Sequence, residues 1–323
     1  MSSYQNPFSE IEEDLCKLKI NLKSMIAAKN PVLYAAAEHL FNASGKQIRP
    51  SIILTIAKYI TKKNQIFPEH RRLAEITEII HTASLVHDDI IDECDTRRGV
   101  DTVHNIFSNK IAILAGDFLF AKSSWYLANL NDVSVVQTIS KVITDFAEGE
   151  VRQGLTNFNT TLSIDDYIEK SFYKTASLIA SSCQGTAMLS KCNRNIVNKI
   201  YLYGKHIGLA FQIIDDILDI TTPTNTLGKP QGSDLKNGNL TAPIMFTLIE
   251  NPAITSLVHE EFTNVNNIND IIYSIKDTKS IQKAKDLANE HLQIAADIIQ
   301  NLKLTNSKTN IFLISNYILN RIN

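Results

Sequence analysis

Apolar residues recur along this chain at spacings of three and four, over long stretches without breakers, and that period is helical. The clearest run opens at Pro68 and continues to Ile91, where Ile76, Ile79, Ile80, Ala83, Val86 and Ile90 form one stripe. Pro68 suits a first helical turn, because its missing N–H would have no partner there anyway. Asn30 before Pro31 predicts a capped helix over "PVLYAAAEHLFN", closed at Ser44-Gly45. Ser163, with Asp166 three residues on, predicts a capping box before "YIEKSFYKTASLIASSCQGTAML". "YLYGKHIGLAFQIIDDILDI" reads as another apolar helix, stopped by Thr221-Thr222-Pro223. Only 11 Gly and 8 Pro punctuate 323 residues, and no turn dipeptide sits between alternating strands, so the pattern predicts an all-α protein. Breaker-rich loops are expected near 154–163 and 221–241. The expected organisation is a single domain over 1–323, with 1–29 as an N-terminal helical extension and 251–323 as C-terminal helices of the same domain. That tail shows no chemistry in its sequence.

Composition narrows the function classes. Hydrophobic content of 44% over this length can bury a sizeable core. Net charge is -2, with no basic stripe and no Arg/aromatic interleaving, so no nucleic-acid partner is expected. The apolar run "IAILAGDFLF" is broken by Gly116 and Asp117, so no transmembrane segment is expected. Four cysteines without CxxC spacing read as free thiols in a reducing compartment. The acidic start "MSSYQNPFSEIEEDLCKLK" excludes a secretory signal and argues against a transit peptide. The chain has 24 Lys against 8 Arg and is heavy in Asn and Ile, a bias that matches AT-rich codons.

One short pattern interrupts the apolar helices twice: Asp88-Asp89-Ile-Ile-Asp92 and Asp215-Asp216-Ile-Leu-Asp219. In a helix, positions i and i+4 stack on one face, about 6 Å apart along the axis. Asp88 therefore projects beside Asp92, and Asp215 beside Asp219. Like charges at that spacing destabilise an isolated helix unless a hard cation sits between them. A single copy is as readily a solvated face. Two copies, each in a mostly apolar helix, face something other than open water. They point to divalent metal shared with a polyanionic substrate. Basic residues suit such a substrate: Lys46 and Arg49 in "GKQIRP", Arg97 and Arg98 after the first motif, Lys174 beside Thr175, and Lys229 in "LGKPQGSD". Each cluster alone is an ordinary surface feature; together they suggest at least two phosphate-bearing groups. His81 lies two turns before Asp88 and Gln212 three residues before Asp215, each able to share a face with its motif.

In this order, "GKQIRP", "HTASLVHDDIIDECDTRRG", "YKTASL", "GLAFQIIDDILD" and "GKPQGSDLKNGNLTAP" resemble the trans-polyprenyl diphosphate synthases of the class I isoprenoid synthase family, over about residues 30–250. The resemblance implies an all-α class I isoprenoid synthase bundle around a deep central cavity, usually a homodimer. It implies Mg2+ as cofactor, about two to three ions per active site, shared with substrate diphosphate. Asp88, Asp92 and Asp215 would hold the metal, with Asp219 assisting through water. Arg97, Lys174, Thr175, Gln212 and Lys229 would bind an allylic diphosphate primer. Lys46, Arg49, His81 and Arg98 would bind isopentenyl diphosphate. Asp88, Asp92, Asp215 and Lys174 would then carry catalysis. A peripheral membrane contact at product release is compatible with this reading.

Two positions depart from the family pattern. Gln47 stands where the family often has Arg, and Asn239 stands in "GNLTAP" where many members have Lys. The second variant resembles the long-chain solanesyl diphosphate synthases of cyanobacteria and plastids. With the AT-rich bias, this predicts a plastid-encoded, stromal enzyme of plastoquinone side-chain synthesis, a bacterial cytoplasm being the alternative. In this family the residues one turn before the first motif help set product length. Here they are Ser84 and Ala83, four and five positions before Asp88, or roughly 6–7.5 Å deeper. Two small side chains in place of an aromatic floor predict an open cavity and a long product, roughly C40–C50 with about C45 favoured. The rival readings are a short-chain geranylgeranyl-type synthase, a class I terpene cyclase and a catalytically silent heteromer subunit. A cyclase leaves Lys46, Arg49 and His81 without a purpose, and a silent subunit typically loses acidic residues that are intact here.

Overall fold

The computed structural model describes residues 6–42, 45–97, 99–222, 231–261, 265–302 and 309–322. Arg98 and Lys229 lie outside the described residues, as do Ser44 and Pro223. Helices dominate the described residues, as the hydrophobic period predicts. The chain runs through α1 (Glu12–Met25), α2 (Pro31–Asn42), α3 (Ile48–Ile60) and α4 (Pro68–Ile91). A short ribbon follows, β1 (Thr96–Arg97) and β2 (Val100–Asp101), pairing Thr96 with Asp101 and Arg97 with Val100 in antiparallel register. Then come α5 (Val103–Phe107), α6 (Asn109–Ala128), α7 (Val133–Thr156), α8 (Ile164–Ser171), α9 (Ser177–Leu189) and α10 (Arg194–Thr221). The rest is α11 (Ser233–Lys236), α12 (Ala242–Glu250), α13 (Thr255–His259), α14 (Val265–Asp277), α15 (Ser280–Gln300) and α16 (Thr309–Leu319).

The helix-start signals act as expected. Asn30 Oδ1 accepts from the backbone N–H groups of Val32 at 2.9 Å and Leu33 at 3.1 Å. Ser163 and Asp166 close a reciprocal capping box at 3.1 and 2.9 Å. Pro68 opens α4, which ends at Ile91 with Asp92 as its C-cap. Two local features depart from the sequence reading. A two-stranded ribbon, not read from the sequence, follows the first acidic motif, and Gly99 there takes φ +77°, a conformation that favours glycine. The single helix expected over "YIEKSFYKTASL" is divided by a π-helical turn at Phe172–Ala176, between α8 and α9.

α10 is the spine of the bundle, packed against α9 and α15. Its buried Ile200, Tyr203, Ile207, Ala210, Ile213, Ile214 and Ile217 join a core that also takes Leu18, Leu22 and Met25 from α1 and Ile311 and Ile314 from α16. Each such aliphatic side chain contributes roughly 1.5–3 kcal/mol on burial. Close approach needs small residues: a Cβ on Gly208 would come 2.6 Å from Ala176 Cα in the π turn. α4 packs against α3, α6 and α9, so both acidic motifs are carried on helices with buried flanks. α6 runs unbroken through Gly116 and Asp117, and its 20 residues are long and apolar enough, by length and composition alone, to cross a membrane. It packs along α4 and α2 instead.

Candidate active site

The first acidic motif sits at the end of α4. Asp92 caps the helix and its N–H bonds Asp88 O at 2.8 Å, so the i,i+4 stacking survives at the terminus. Burial pushes the Asp88 carboxyl up to about 7, against the pull of the Lys174 ammonium, while Glu150 and Asp92 add to the rise. Asp89 points the other way. It is buried and ion-paired to Arg97 Nε, and its second oxygen, Oδ2, has no partner among the described residues. Arg97 is thus tethered through the ribbon to the back of the motif, with 27% of its side chain exposed.

The second motif ends α10 and spreads its carboxylates among different duties. Asp215 Oδ1 lies 2.7 Å from Arg321 Nη2. Asp216 is buried and accepts from Tyr167 Oη at 2.6 Å and from Gln212 Nε2 at 2.7 Å. Gln212 Oε1 in turn accepts from Thr175 Oγ1. Gln212 thus meets the second motif through Asp216, its i+4 neighbour, while Asp215 at i+3 is paired to Arg321. Asp219 is buried and accepts from Ser233 Oγ at 3.0 Å and Asp234 N at 3.4 Å, tying the start of α11 to α10.

Lys174 connects the motifs. The π turn directs its ammonium to Gln153 Oε1 at 3.1 Å and Glu150 Oε1 at 3.6 Å. Burial works against its charge, but Glu150, Asp88, Asp92 and Asp234 outweigh that and raise its pKa. A π turn inserts one residue into the helical ladder and so re-aims the side chains it carries. Arg49 Nη1 meets His81 Nε2 at 3.0 Å, joining two residues that the sequence reading grouped. Lys46 is exposed at the start of α3. Phe211 links this cluster to the second motif, since Arg49 lies 6.0 Å and Arg321 4.4 Å from its ring centroid. Arg321 is the residue that the sequence reading missed. Two of its guanidinium nitrogens, Nε and Nη1, are buried without partners among the described residues. Its signal was faint: a lone Arg in the apolar run "IFLISNYILNRIN" of a chain that otherwise prefers Lys.

The small residues beneath the first motif are both sheltered. Ala83 is 0% exposed, and Ser84 is half-buried with its hydroxyl donated to His81 O at 2.9 Å. The recess bordered by Lys174, Gln212 and Asp216 is about 10 Å³. A cavity of about 440 Å³ lies elsewhere, between the N-terminal segment, α3 and α16.

The donor set suits a hard divalent cation. Every expected ligand is a carboxylate oxygen, the preference of Mg2+. The raised Asp88 carboxyl marks a site where nearby positive charge falls short of what burial demands. At Asp215 a guanidinium already stands at the carboxylate. Among the described residues no group of three or more His, Cys, Asp or Glu is gathered around one point.

An all-helical bundle, two aspartate motifs and flanking cations define a class of diphosphate-handling enzyme, and comparison with known proteins agrees. The polyprenyl synthetase family model matches residues 30–275, and the chain belongs to that family. It is therefore an enzyme of the prenyltransferase class. It is 54% identical over 322 residues to a prenyl transferase of Porphyra purpurea, covering 100% of both chains. It is 46% identical over 299 residues to the chloroplastic solanesyl diphosphate synthase 1 of Arabidopsis thaliana, covering 92% of this chain and 73% of that protein. A polyprenyl synthase from Caulobacter crescentus, complexed with calcium and isoprenyl diphosphate, superposes with a TM-score of 0.90 at 25% identity, covering 98% of this chain and 97% of that one.

Proposed function

We propose that this protein is a Mg2+-dependent, plastid-located synthase that condenses isopentenyl diphosphate head-to-tail onto an allylic diphosphate, giving an all-trans product of about C45 that supplies the plastoquinone side chain. The observation that carries the reading is the arrangement around Lys174: one ammonium faces the first motif's Asp88 and Asp92, while neighbouring Thr175 and Gln212 reach the second motif. The chloroplastic solanesyl diphosphate synthase supports the product class and the compartment. The calcium and isoprenyl diphosphate of the Caulobacter complex support a metal and a diphosphate in this fold.

Asp88, Asp92 and Asp215 hold the metal, with Asp219 behind them. When bound, Mg2+ supplies Lewis-acid charge to the departing pyrophosphate. Lys174, Thr175, Gln212, Arg97 and Lys229 hold the allylic diphosphate so that its C–O bond breaks with negative charge leaving toward cations. Lys46, Arg49, His81 and Arg98 hold isopentenyl diphosphate. Arg321 joins that set, because its guanidinium shares Phe211 with Arg49 and has nitrogens to spare. The isopentenyl double bond attacks the allylic cation, and a proton then passes to the pyrophosphate, so no separate protein base is required. The packed interior excludes water that would quench the cation.

The whole chain acts as one domain, since α1 and α16 feed the same core as α10. It works as a homodimer, and Ile113, Leu114 and Trp125, exposed along α6, offer the apolar face such pairing needs. The test is incubation of the purified protein with Mg2+, isopentenyl diphosphate and a farnesyl or geranylgeranyl diphosphate primer. The expected product is a solanesyl-length chain. No turnover with any primer, by folded protein, would sink the reading.

A further inference from the structure

Beside Lys174 the fold half-buries a second lysine. Lys170, on the last turn of α8, directs its ammonium away from solvent to Asn239 Oδ1 at 2.5 Å and Leu240 O at 3.5 Å. An ammonium has three donors. Both recorded acceptors are neutral, and no carboxylate is within ion-pair distance among the described residues. Asp216, the nearest acid in effect, already accepts two hydrogen bonds from Tyr167 and Gln212. Burial pulls the Lys170 pKa down from its usual value, and Lys174 adds repulsion, so two cations are held close at a desolvation cost.

A second observation comes from the neighbouring loop. Thr241 is 2% exposed, and its hydroxyl has no partner among the described residues. A buried hydroxyl left unsatisfied is rare and destabilising. Lys170, Asn239 and Thr241 all border the same small recess as Lys174, Gln212 and Asp216. The recess therefore gathers an under-paired ammonium, an orphan hydroxyl and the Lys174 ammonium at one mouth.

We propose that Lys170 and Thr241, with Asn239 as the strut that aims Lys170, form a further anion subsite for the diphosphate of the allylic substrate. This rests on the prenyl synthase reading and deepens it. Asn239 is neutral, and the cation at this wall of the recess comes from α8, with Asn239 Oδ1 as the acceptor of the Lys170 ammonium. Nothing about position 170 read in isolation marks it, because a lysine on an amphipathic helix is ordinarily a solvated one.

Inorganic pyrophosphate is the probe, titrated calorimetrically into the full chain in Mg2+ buffer. Lys170→Met is expected to weaken pyrophosphate binding by about tenfold, and Thr241→Val by about threefold, the losses typical of one charged and one neutral hydrogen bond. The double variant Lys170→Met/Asn239→Lys, which places the charge at position 239 instead, is expected to bind within about threefold of wild type. In steady state, KM for the allylic primer rises in Lys170→Met while KM for isopentenyl diphosphate stays within about twofold. Unchanged pyrophosphate binding in a folded Lys170→Met protein, with only its melting temperature lowered, overturns the proposal. If that variant does not fold, Thr241→Val decides by the same criterion. Wild-type protein that turns over no primer at all removes the synthase reading itself, and is told apart by that control.

Discussion

Ala83 shows how far a single position can be read. Its smallness was visible in the sequence, and its depth below Asp88 followed from helix rise alone. What the sequence did not show is that Ala83 is fully buried among the packed helices. A larger side chain there would enter the path expected for the growing product. Ala83→Phe or Ser84→Phe is expected to shorten the product by at least one five-carbon unit, read by chromatography of the dephosphorylated prenols. Unchanged length in both variants would refute the floor argument. Arg49 and His81 illustrate the opposite case: each was uninformative alone, and their contact at 3.0 Å makes them a pair. Arg321 lies beyond sequence logic, because what places it on Asp215 is the packing of α16 against α10.

At the scale of the element, start signals were reliable and interruptions were not. Asn30, Pro68 and Ser163 each open a helix where local chemistry says they should. The π turn at Phe172–Ala176 has no local signature, since "FYKTA" continues an ordinary helical period. α10 packs closely on it at Gly208, where even a methyl group would meet backbone. Gly208→Ala is accordingly expected to cost about 1–3 kcal/mol of stability, as overpacking does. It should also lower kcat by about tenfold, through displacement of Lys174, with a smaller effect on the KM for isopentenyl diphosphate. Thermal melts and steady-state kinetics check both parts; a stable variant with full kcat would contradict the coupling.

For the whole molecule, one buried imidazole sets an acid limit. His70 Nδ1 accepts from Phe67 N–H at 3.2 Å and its Nε2 meets Ser190 Oγ at 2.9 Å, joining α4 to the end of α9. Burial lowers its pKa from 6.5 to about 4, and a proton on Nδ1 would oppose the Phe67 N–H. Below pH 6.5 the unfolded chain takes a proton that the folded chain refuses, so stability is full above 6.5 and falls as pH drops toward 4. The loss from this group is on the order of 2–3 kcal/mol. Denaturant melts from pH 7.5 to 4.5 should show wild type losing more stability than His70→Gln over that window; parallel curves would exclude His70 as the cause. The sequence by itself determined the all-helical class, the helix starts, both acidic motifs and the family they imply, because all of these are encoded in spacings of seven residues or fewer and in motif order. Tertiary structure alone decided which carboxylate faces outward, which ones tie helices together, and that Lys170, Thr241 and Arg321 converge on the site. Those outcomes depend on contacts between residues tens to hundreds of positions apart, and burial, which sets their energies, is a property of the packed bundle.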